Sequence, residues 1–306
     1  MHILDQARTA AALPFSQLVP ALARAARELA DGAIRAPERQ VVTIDAASVL
    51  LGMPAIGADI GVTKLITVHA NNAAHGLPAI QGEVIVFDTA SGRRLALLDG
   101  PTVTARRTAA MTLLGIETLA PKKPRSALII GTGVQAAAHA DALVEHFGVA
   151  QFWIAARNAA GVDAFCSSLR ERHAQLAVQP LAADALQREV PETDVVIALT
   201  TSKTAVIPAS ISPQTLAIGV GAFKPDMVEF PPALLHARQI VVDDLAGARH
   251  EAGDLIQANV DWSRVRDIAS VLAGQLGHAS PVPVFKTVGQ AAWDLAAARV
   301  ALQTLD

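Results

Sequence analysis

The chain has 306 residues, more than one small hydrophobic core usually supports, so we expect two domains. Hydrophobic residues make up 52% and charged residues 17%, a composition that can bury large surfaces. The net charge of -3 gives no electrostatic reason to expect a nucleic acid or an anionic membrane as a partner. Cys166 is the one cysteine, which excludes an internal disulfide framework and favours a reducing compartment. Because it lies in an apolar stretch, we expect a buried side chain rather than a catalytic thiol.

The uncharged runs of the sequence do not have the composition of a membrane span. The longest, residues 205–223, is interrupted by Pro208, Pro213, Gly219 and Gly221, whereas a bilayer requires a helix of about 20 apolar residues. The first residues lack the basic stretch and apolar core of a secretory signal. We therefore expect a soluble protein of the cytoplasm.

The first third of the sequence predicts a helix followed by short strands. A helical pattern begins at Ser16, a residue type that caps helices, and stops before Gly32. Runs rich in β-branched residues, separated by turn residues, predict strands at 62–68 and 83–87. A second helix is predicted over 104–119.

After a predicted hinge at 121–124, with two prolines and two lysines, predicted strands alternate with helices. The strands are predicted at 127–130, 152–155, 195–199, 216–220 and 240–242, and the helices end near 147, 173 and 303. This alternation is typical of a doubly wound parallel sheet with helices on both faces, which places the chain in the α/β class.

A glycine-rich turn at 131–136, with the sequence GTGVQA, joins a predicted strand to a predicted helix. Gly131 permits the tight turn, and Gly133 allows backbone N–H groups to approach a pyrophosphate. Val134 and Gln135 begin the helix, whose positive end faces the phosphates in such sites. This context predicts a Rossmann-type dinucleotide site.

The end of the next predicted strand indicates which coenzyme binds. An acidic residue there would accept a hydrogen bond from the ribose 2′-hydroxyl of NAD, but this chain has Arg157. A guanidinium suits the 2′-phosphate of NADP, so we expect NADPH, with NADH as the alternative coenzyme.

Two later strands end in small or hydroxyl-bearing residues. Thr200, Thr201 and Ser202 end one of them, and Gly219 and Gly221 end the other. Ligands of doubly wound sheets bind at the carboxyl ends of the strands. We therefore expect these five residues to form walls around the nicotinamide and its ribose.

Three cationic residues of the first part of the chain have apolar or small neighbours. They are Arg39, Lys64, which lies inside a predicted strand, and Arg107, on a predicted helix. A charge in such surroundings is costly unless an opposite charge accompanies it. A substrate carboxylate would supply that charge, and arginine binds carboxylate with two parallel donors.

Short motifs with these cations occur along nearly the whole chain. They are Met53-Pro54, Lys64, Asn71-Asn72, Gly76-Leu77-Pro78, Asp99-Gly100, Thr104, Arg107-Thr108-Ala109-Ala110, Gly131 to Gln135, Asp194 to Ser202, Pro225, Glu229, Val242-Asp243-Asp244, Glu251 to Asp254 and Phe285 to Gly289. In these motifs the sequence resembles the ornithine cyclodeaminase/mu-crystallin family, and most closely its ketimine reductases.

The resemblance implies that the chain is divided into two domains with different functions. It implies a discontinuous substrate-binding and dimerisation domain of residues 1–120 and 287–306, a central Rossmann domain of residues 121–286, and a homodimer. It further implies that Arg39, Lys64 and Arg107 engage the carboxylate and the reacting nitrogen of the substrate, with Lys64 and Arg107 as the catalytic pair. Thr108, in the same motif, is expected to contact the cofactor.

The sequence departs from the cyclodeaminases at two positions. Those enzymes carry a glutamate three positions before the proline of the Met-Pro motif, where this chain has Leu51, and an aspartate two positions before the later proline, where it has Phe223. Leucine and phenylalanine cannot bind the second amine of ornithine or move a proton. We therefore expect Leu51 and Phe223 to be apolar walls of a pocket for a cyclic imino acid.

The expected reaction is reduction of Δ1-pyrroline-2-carboxylate or Δ1-piperideine-2-carboxylate to proline or pipecolate. Three alternatives stay open: an alanine dehydrogenase-like amino-acid dehydrogenase, an ornithine cyclodeaminase that releases ammonia, and an NADPH-binding protein without turnover. The nine histidines show no metal-ligand spacing, so no metal is expected, and Asp243-Asp244 is left without a role.

Overall fold

A computed structural model describes residues 1–186, 188–277 and 280–305. The chain divides into two compact units, of which the first comprises Met1–Ala110 with Gly289–Asp306 and the second Met111–Val288. The sequence-predicted domains divide at 120/121 and 286/287 instead. Among the described residues, no helix combines the length and apolar character needed to cross a bilayer.

The first unit is an α+β structure built on one mixed sheet. Its elements are β1 (His2–Leu4), α1 (Gln6–Ala11), α2 (Phe15–Ala30), β2 (Gln40–Asp45), β3 (Ser48–Ile56), β4 (Ile60–His69), β5 (Ile80–Asp88), β6 (Arg94–Asp99) and the first half of α3 (Gly100–Leu119). The described strands follow the order β1-β6-β5-β4-β3-β2. All neighbours are antiparallel except β1 and β6.

The second unit is a parallel sheet with helical crossovers. Its elements are β7 (Ser126–Ile130), α4 (Val134–Phe147), β8 (Gln151–Ala156), α5 (Ala159–Arg172), β9 (Ala177–Ala182), α6 (Ala183–Leu186), β10 (Val195–Ala198), β11 (Leu216–Gly219), α7 (Pro232–Ala237), β12 (Ile240–Val242), α8 (Leu245–Glu251), α9 (Gly253–Gln257), β13 (Arg266–Asp267), α10 (Ile268–Leu272) and β14 (Val284–Lys286). The final helix, α11 (Ala291–Gln303), belongs to the first unit.

The strand order of the second unit reverses beside β7. In the described residues the order is β13-β12-β14-β11-β10-β7-β8-β9, so the chain winds from β7 to β9 in one direction and from β10 onward in the other. Ligands of doubly wound sheets bind at such a switch point, outside the carboxyl ends of the strands. The predicted α/β class is confirmed, and the fold places the glycine-rich turn after β7 at the switch point.

One face of the first unit's sheet carries the core and also a charged residue. Val62, Lys64 and Ile66 alternate along β4 and are all buried, and α11 packs against β3, β4 and β5. Leu65 points to the other face and is exposed. Lys64 therefore lies within an apolar face, as its sequence neighbours predicted.

Two predicted helix starts are wrong by a few residues. Helix α2 begins at Phe15 with Pro14 as its cap, and the side chain of Ser16 makes no capping bond. Helix α3 begins at Gly100 rather than at residue 104, because Asp99 Oδ1 accepts a hydrogen bond from the N–H of Thr102 at 2.9 Å. A carboxylate in that position stabilises the first turn of a helix.

The sequence-based prediction also omitted three of the described strands of the parallel sheet, β9, β13 and β14, and β13 has only two residues. Strand β9 contains Pro180, which suits its position at the sheet edge but weakens the sequence signal. Strand β14 has three residues, too few for a periodicity to be visible. The final helix starts at Ala291 rather than at the predicted residue 287, because Gly289 has a positive φ and Gln290 caps the helix.

Candidate functional site

An open cavity of about 830 Å³ lies at the carboxyl ends of the parallel strands of the second unit. Its volume is that of sites for ligands of coenzyme or drug size. Residues at the ends of β7 and β8 and residues after β10 line it, together with two residues of α6. They are Ile130, Gly131, Thr132, Gly133, Ala155, Ala156, Arg157, Asn158, Ala183, Leu186, Leu199, Thr200, Thr201, Ser202, Thr204, Ala205 and Val206.

The turn between β7 and α4 has the geometry that a dinucleotide phosphate requires. Gly131 has a φ of +126°, and a Cβ there would lie 2.5 Å from the carbonyl oxygen of Leu199. Gly133 caps α4, and a Cβ built on it has no neighbour within 4 Å. The first N–H groups of a helix bind anions when nothing obstructs the approach. This turn therefore fits the pyrophosphate of a dinucleotide.

The wall of the cavity beyond β8 carries a positive charge. Arg157 lines the cavity beside Asn158 and its side chain is exposed. Among the described lining residues there is no aspartate or glutamate. The residues that would meet the 2′ position of the adenosine ribose therefore suit a phosphate better than a hydroxyl.

Six of the residues predicted to bind the cofactor line the cavity, and five do not. Gly131, Gly133, Arg157, Thr200, Thr201 and Ser202 line it, whereas Thr108, Val134, Gln135, Gly219 and Gly221 are not in its wall. Val134 is nevertheless largely exposed at the start of α4, with 78% of its surface accessible to solvent. Thr108 is buried on α3 in the first unit.

Gly219 and Gly221 have a packing reason to be glycine. A Cβ on Gly219 would lie 2.4 Å from the ring of Phe230. A Cβ on Gly221 would lie 1.9 Å from the carbonyl oxygen of Thr200. The segments that follow β10 and β11 therefore approach each other so closely that only glycine fits at position 221.

In the first unit, the three predicted cations lie near the final helix. Lys64 Nζ is 2.9 Å from Oδ2 and 3.1 Å from Oδ1 of Asp294, and Arg107 Nε is 3.2 Å from Oδ1 of the same carboxylate. Arg39 Nη2 donates a hydrogen bond to the carbonyl oxygen of Gly289 at 2.8 Å. Lys64, Arg107 and Asp294 are all buried. Two buried cations thus share one carboxylate, which leaves a positive charge between them.

Gly289 and Asp294 were not assigned a function from the sequence. Gly289 has a φ of +81°, and a Cβ there would lie 2.7 Å from Nη1 of Arg107. It therefore makes room for one cation while its carbonyl oxygen binds another. Asp294 is an isolated acid in the run AAWDLAAARV, and an acid in so apolar a helix is the signal that could have revealed it.

Burial changes the protonation of Lys64. It lowers the pKa of the Lys64 ammonium from 10.5 to about 8, and the positive charges of Arg107 and Arg39 act in the same direction. The carboxylate of Asp294 opposes the shift. A lysine with such a pKa can give up a proton near neutral pH, which an exposed lysine does not do readily.

The two predicted apolar walls are half-buried, each in its own unit. Leu51 on β3 pairs with Ile66, and Met53 pairs with Lys64, so Leu51 points to the same face of the sheet as Lys64. Phe223 follows β11, with Nζ of Lys224 5.9 Å from its ring centroid.

A second group of buried charges lies in the second unit. Glu229, Asp254 and Lys286 have no more than 1% of their surface exposed, and each belonged to a motif without an assigned role. Cys166 is buried, as expected, and its burial raises the pKa of the thiol. The described residues contain no group of three or more His, Cys, Asp or Glu side chains that could hold a metal ion.

A doubly wound domain with a dinucleotide-type cavity and an α+β unit with buried, carboxylate-sharing cations define a class of nicotinamide-type oxidoreductases. The family model described as "Ornithine cyclodeaminase/mu-crystallin family" matches residues 1–305. The chain belongs to this family.

Named relatives match over almost the full length of the chain. A Delta(1)-pyrroline-2-carboxylate reductase of Burkholderia ambifaria is 46% identical over 302 residues, which cover 99% of this chain and 95% of the relative. A Delta(1)-pyrroline-2-carboxylate/Delta(1)-piperideine-2-carboxylate reductase of Azospirillum brasilense is 45% identical over 303 residues, covering 99% and 96%.

A solved structure has the same fold. The Delta(1)-pyrroline-2-carboxylate reductase of Thermococcus litoralis, in complex with NADH and L-proline, superposes with a TM-score of 0.88 at 23% identity. The superposition covers 99% of this chain and 97% of that one. The predicted two-domain α/β architecture is thereby confirmed.

Proposed function

We propose that this chain is a nicotinamide-dependent reductase of cyclic imino acids. Its substrates are Δ1-pyrroline-2-carboxylate and Δ1-piperideine-2-carboxylate, and its products are proline and pipecolate. One observation carries the proposal: the buried cations Lys64 and Arg107 share the carboxylate of Asp294. A substrate carboxylate supplies the negative charge that such a buried pair requires. The names of the relatives at 45–46% identity support the same substrates.

The cationic residues bind and orient the substrate. Arg107, assisted by Arg39, binds the carboxylate, since a guanidinium offers two parallel donors. Lys64 holds a proton for the imine nitrogen, because its depressed pKa of about 8 lets it exchange that proton. When bound, the coenzyme supplies the hydride that reduces C2 of the protonated C=N bond.

NADPH is the coenzyme that we propose. The support is Arg157, which lies in the cavity wall where an NAD-specific site has an acid. Arg157 and Asn158 would hold the 2′-phosphate, and the first N–H groups of α4 would hold the pyrophosphate. Thr200, Thr201 and Ser202 would bind the nicotinamide side of the coenzyme.

The apolar residues argue for a ring rather than a diamine. Leu51 and Phe223 offer no acid to bind a second amino group, which ornithine carries and a cyclic imino acid does not. A substrate with one carboxylate and an aliphatic ring needs no such acid. We accordingly assign residues 1–120 and 287–306 to substrate binding and residues 121–286 to coenzyme binding.

We further propose that the enzyme is a homodimer of the cytoplasm. The outer face of the first unit's sheet exposes apolar side chains on three strands, namely Ile3, Val42 and Leu65. An exposed apolar sheet face of this kind is typical of a subunit interface. The buried Cys166 thiol agrees with a reducing compartment.

A panel of substrates tests the function. The purified protein is incubated with each imino acid and NADPH or NADH, and the loss of reduced coenzyme is followed by absorbance. We expect both imino acids to cause oxidation of the coenzyme, and we expect NADPH to be oxidised faster than NADH. Oxidation with pyruvate and ammonia instead would indicate an amino-acid dehydrogenase, and ammonia release from ornithine would indicate a cyclodeaminase. Tight coenzyme binding without any oxidation would identify a binding protein.

A further inference from the structure

Residues 199–202 and 204–206 form the wall of the cavity that follows β10, and hydrogen bonds join this segment to residues 228–229. The N–H of Thr200 donates to Oε1 of Glu229 at 2.7 Å, and its hydroxyl donates to the same oxygen at 3.0 Å. The carbonyl oxygen of Ser202 accepts from the N–H of Val228 at 2.8 Å. The carbonyl oxygen of Glu229 accepts from the N–H of Val206 at 2.9 Å. Glu229 therefore fixes both ends of the wall.

The same carboxylate also holds the segment that follows β11. Oε2 of Glu229 accepts hydrogen bonds from the N–H of Gly221 at 2.8 Å and from the N–H of Ala222 at 3.2 Å. Each carboxylate oxygen thus binds a different strand end, Oε1 that of β10 and Oε2 that of β11. The four hydrogen bonds occupy all the lone pairs of the carboxylate, so a proton on it would displace one of the donors.

We propose that Glu229 is a positioning residue for coenzyme binding, which joins the ends of β10 and β11 and so shapes the cavity wall that receives the nicotinamide side of the coenzyme. Glu229 does not line the cavity itself, so it acts through Thr200 and the residues that follow. The inference rests on the proposed function, because it assumes that the cavity binds a nicotinamide dinucleotide.

The charges around Glu229 make its hydrogen bonds to the ends of β10 and β11 sensitive to pH. The pKa of Glu229 is raised to about 7, chiefly by burial; Lys286 and the backbone donors lower it, and the negative charge of Asp254 adds to the rise, within that net value. Lys286 Nζ is 3.4 Å from Oδ2 of Asp254, whose Oδ1 accepts from the N–H groups of Glu229 and Phe230. The ionised form accepts all four hydrogen bonds, and the protonated form loses at least one. Coenzyme binding should therefore tighten as the pH rises through about 7.

The substitution Glu229→Gln should break the hydrogen bonds to one of the two strand ends. Glutamine keeps the shape of glutamate but has one acceptor oxygen, and its NH₂ group would face the N–H donors of the other strand end. We expect the Kd for NADPH, measured by fluorescence titration without imino acid, to rise about 10-fold or more. The step near neutral pH in the Kd for NADH, which has no 2′-phosphate to titrate, should also disappear, and a loss of stability alone would not cause that.

Asp194 provides a matched control at the opposite edge of the sheet. It also accepts backbone and hydroxyl hydrogen bonds, from Arg125 N at 2.8 Å and from N and Oγ of Ser126 at 3.1 Å each, but at the amino end of β10. Asp194→Asn should therefore lower the free energy of unfolding without changing the Kd for NADPH or its pH dependence.

Several outcomes would overturn the inference. The role of Glu229 is refuted if E229Q binds NADPH like the wild type. It is also refuted if E229Q binds weakly but keeps the wild-type pH step in the Kd for NADH. If E229Q does not fold, proton release on binding of NADH to the wild-type protein near neutral pH serves instead, since NADH has no 2′-phosphate to titrate. Release of protons supports the inference and its absence refutes it. A wild-type protein that binds neither coenzyme contradicts the proposed function instead.

Discussion

Lys64 has surroundings that are unusual for a lysine side chain. It lies on an apolar face of a sheet, and the acid that accompanies it, Asp294, is 230 positions away in the chain. The sequence indicated that Lys64 and Arg107 needed a negative charge, because their neighbours are apolar. It did not indicate Asp294, since no local pattern connects a strand near the start of the chain with its last helix.

Arg107 and its neighbour Arg106 allow a direct test of the substrate site. Arg107→Ala should raise KM for Δ1-pyrroline-2-carboxylate and lower kcat, with a loss in kcat/KM of about 2–4 kcal/mol, as expected when a buried charged hydrogen bond is removed. Arg106 instead donates to the carbonyl oxygen of Leu13 at 2.7 Å and lies 4.1 Å from the ring centroid of Phe15.

Arg106→Ala should consequently reduce stability and leave KM near the wild-type value. Steady-state kinetics together with thermal unfolding of both variants distinguish the two effects. An R107A variant with wild-type kcat/KM would remove Arg107 from the substrate site.

The pKa of Lys64 predicts a basic limit to the activity. Because that pKa is about 8 in the folded protein, below its usual 10.5, the ammonium loses its proton as the pH rises through about 8. If the proton on Lys64 serves the imine, kcat/KM should fall over the same range. Asp294→Asn removes the carboxylate that raises this pKa, so the limit should move to lower pH.

The pH profile of kcat/KM for the wild type, D294N and K64R measures this effect. Arginine keeps its charge at all accessible pH values, so any residual activity of K64R should lack the basic limit. A basic limit that stays at the same pH in D294N would show that another group causes it.

At the level of elements, the turn between β7 and α4 is the part of the coenzyme site that the sequence predicted best. The glycines, the strand before them and the helix after them are all local features, and local features determine such a turn. The contact between Gly131 and Leu199 is not local, because β10 pairs with β7 only in the folded sheet.

Two glycines at opposite ends of α4 test this turn. Gly131→Ala would place a methyl group 2.5 Å from the Leu199 carbonyl oxygen, so β10 must shift, and we expect loss of stability and of NADPH binding. Gly148 ends α4 with a φ of +70° and open space around its Cα.

Gly148→Ala should cost about 1 kcal/mol of stability from the backbone conformation alone and should leave the Kd for NADPH unchanged. Coenzyme titration and thermal unfolding of both variants make the comparison. Equal effects of the two variants on the Kd would mean that the turn after β7 has no special part in binding.

For the whole molecule, we propose that copies of the chain associate through the outer face of the first unit's sheet. Val42 pairs with Leu50, which pairs with Thr67, and Leu65 lies two residues before Thr67, so both exposed side chains share one face. That face is opposite the one on which Lys64 meets α11. Apolar side chains on it are costly to leave in water.

A double substitution on this face tests the proposed homodimer. Val42→Glu with Leu65→Glu should convert the dimer to a monomer, because the partner would bury four charges without counterions. Light scattering coupled to size-exclusion chromatography measures the mass. Val134→Glu, which places a charge at a position 78% exposed in the second unit, should leave the mass unchanged. A wild-type protein that is monomeric at assay concentration would contradict the dimer.

The sequence by itself determined the α/β class, most of the parallel strands, the glycine-rich turn, Arg157 and the three cations. Each of these depends on neighbours within a few positions, which a linear pattern contains. Only the tertiary structure decided which acid accompanies Lys64 and Arg107, and which side chain joins the ends of β10 and β11. Asp294 and Glu229 act on residues 230 and 29 positions away, and the buried hydrogen bonds that they accept exist only after the helices and strands have packed.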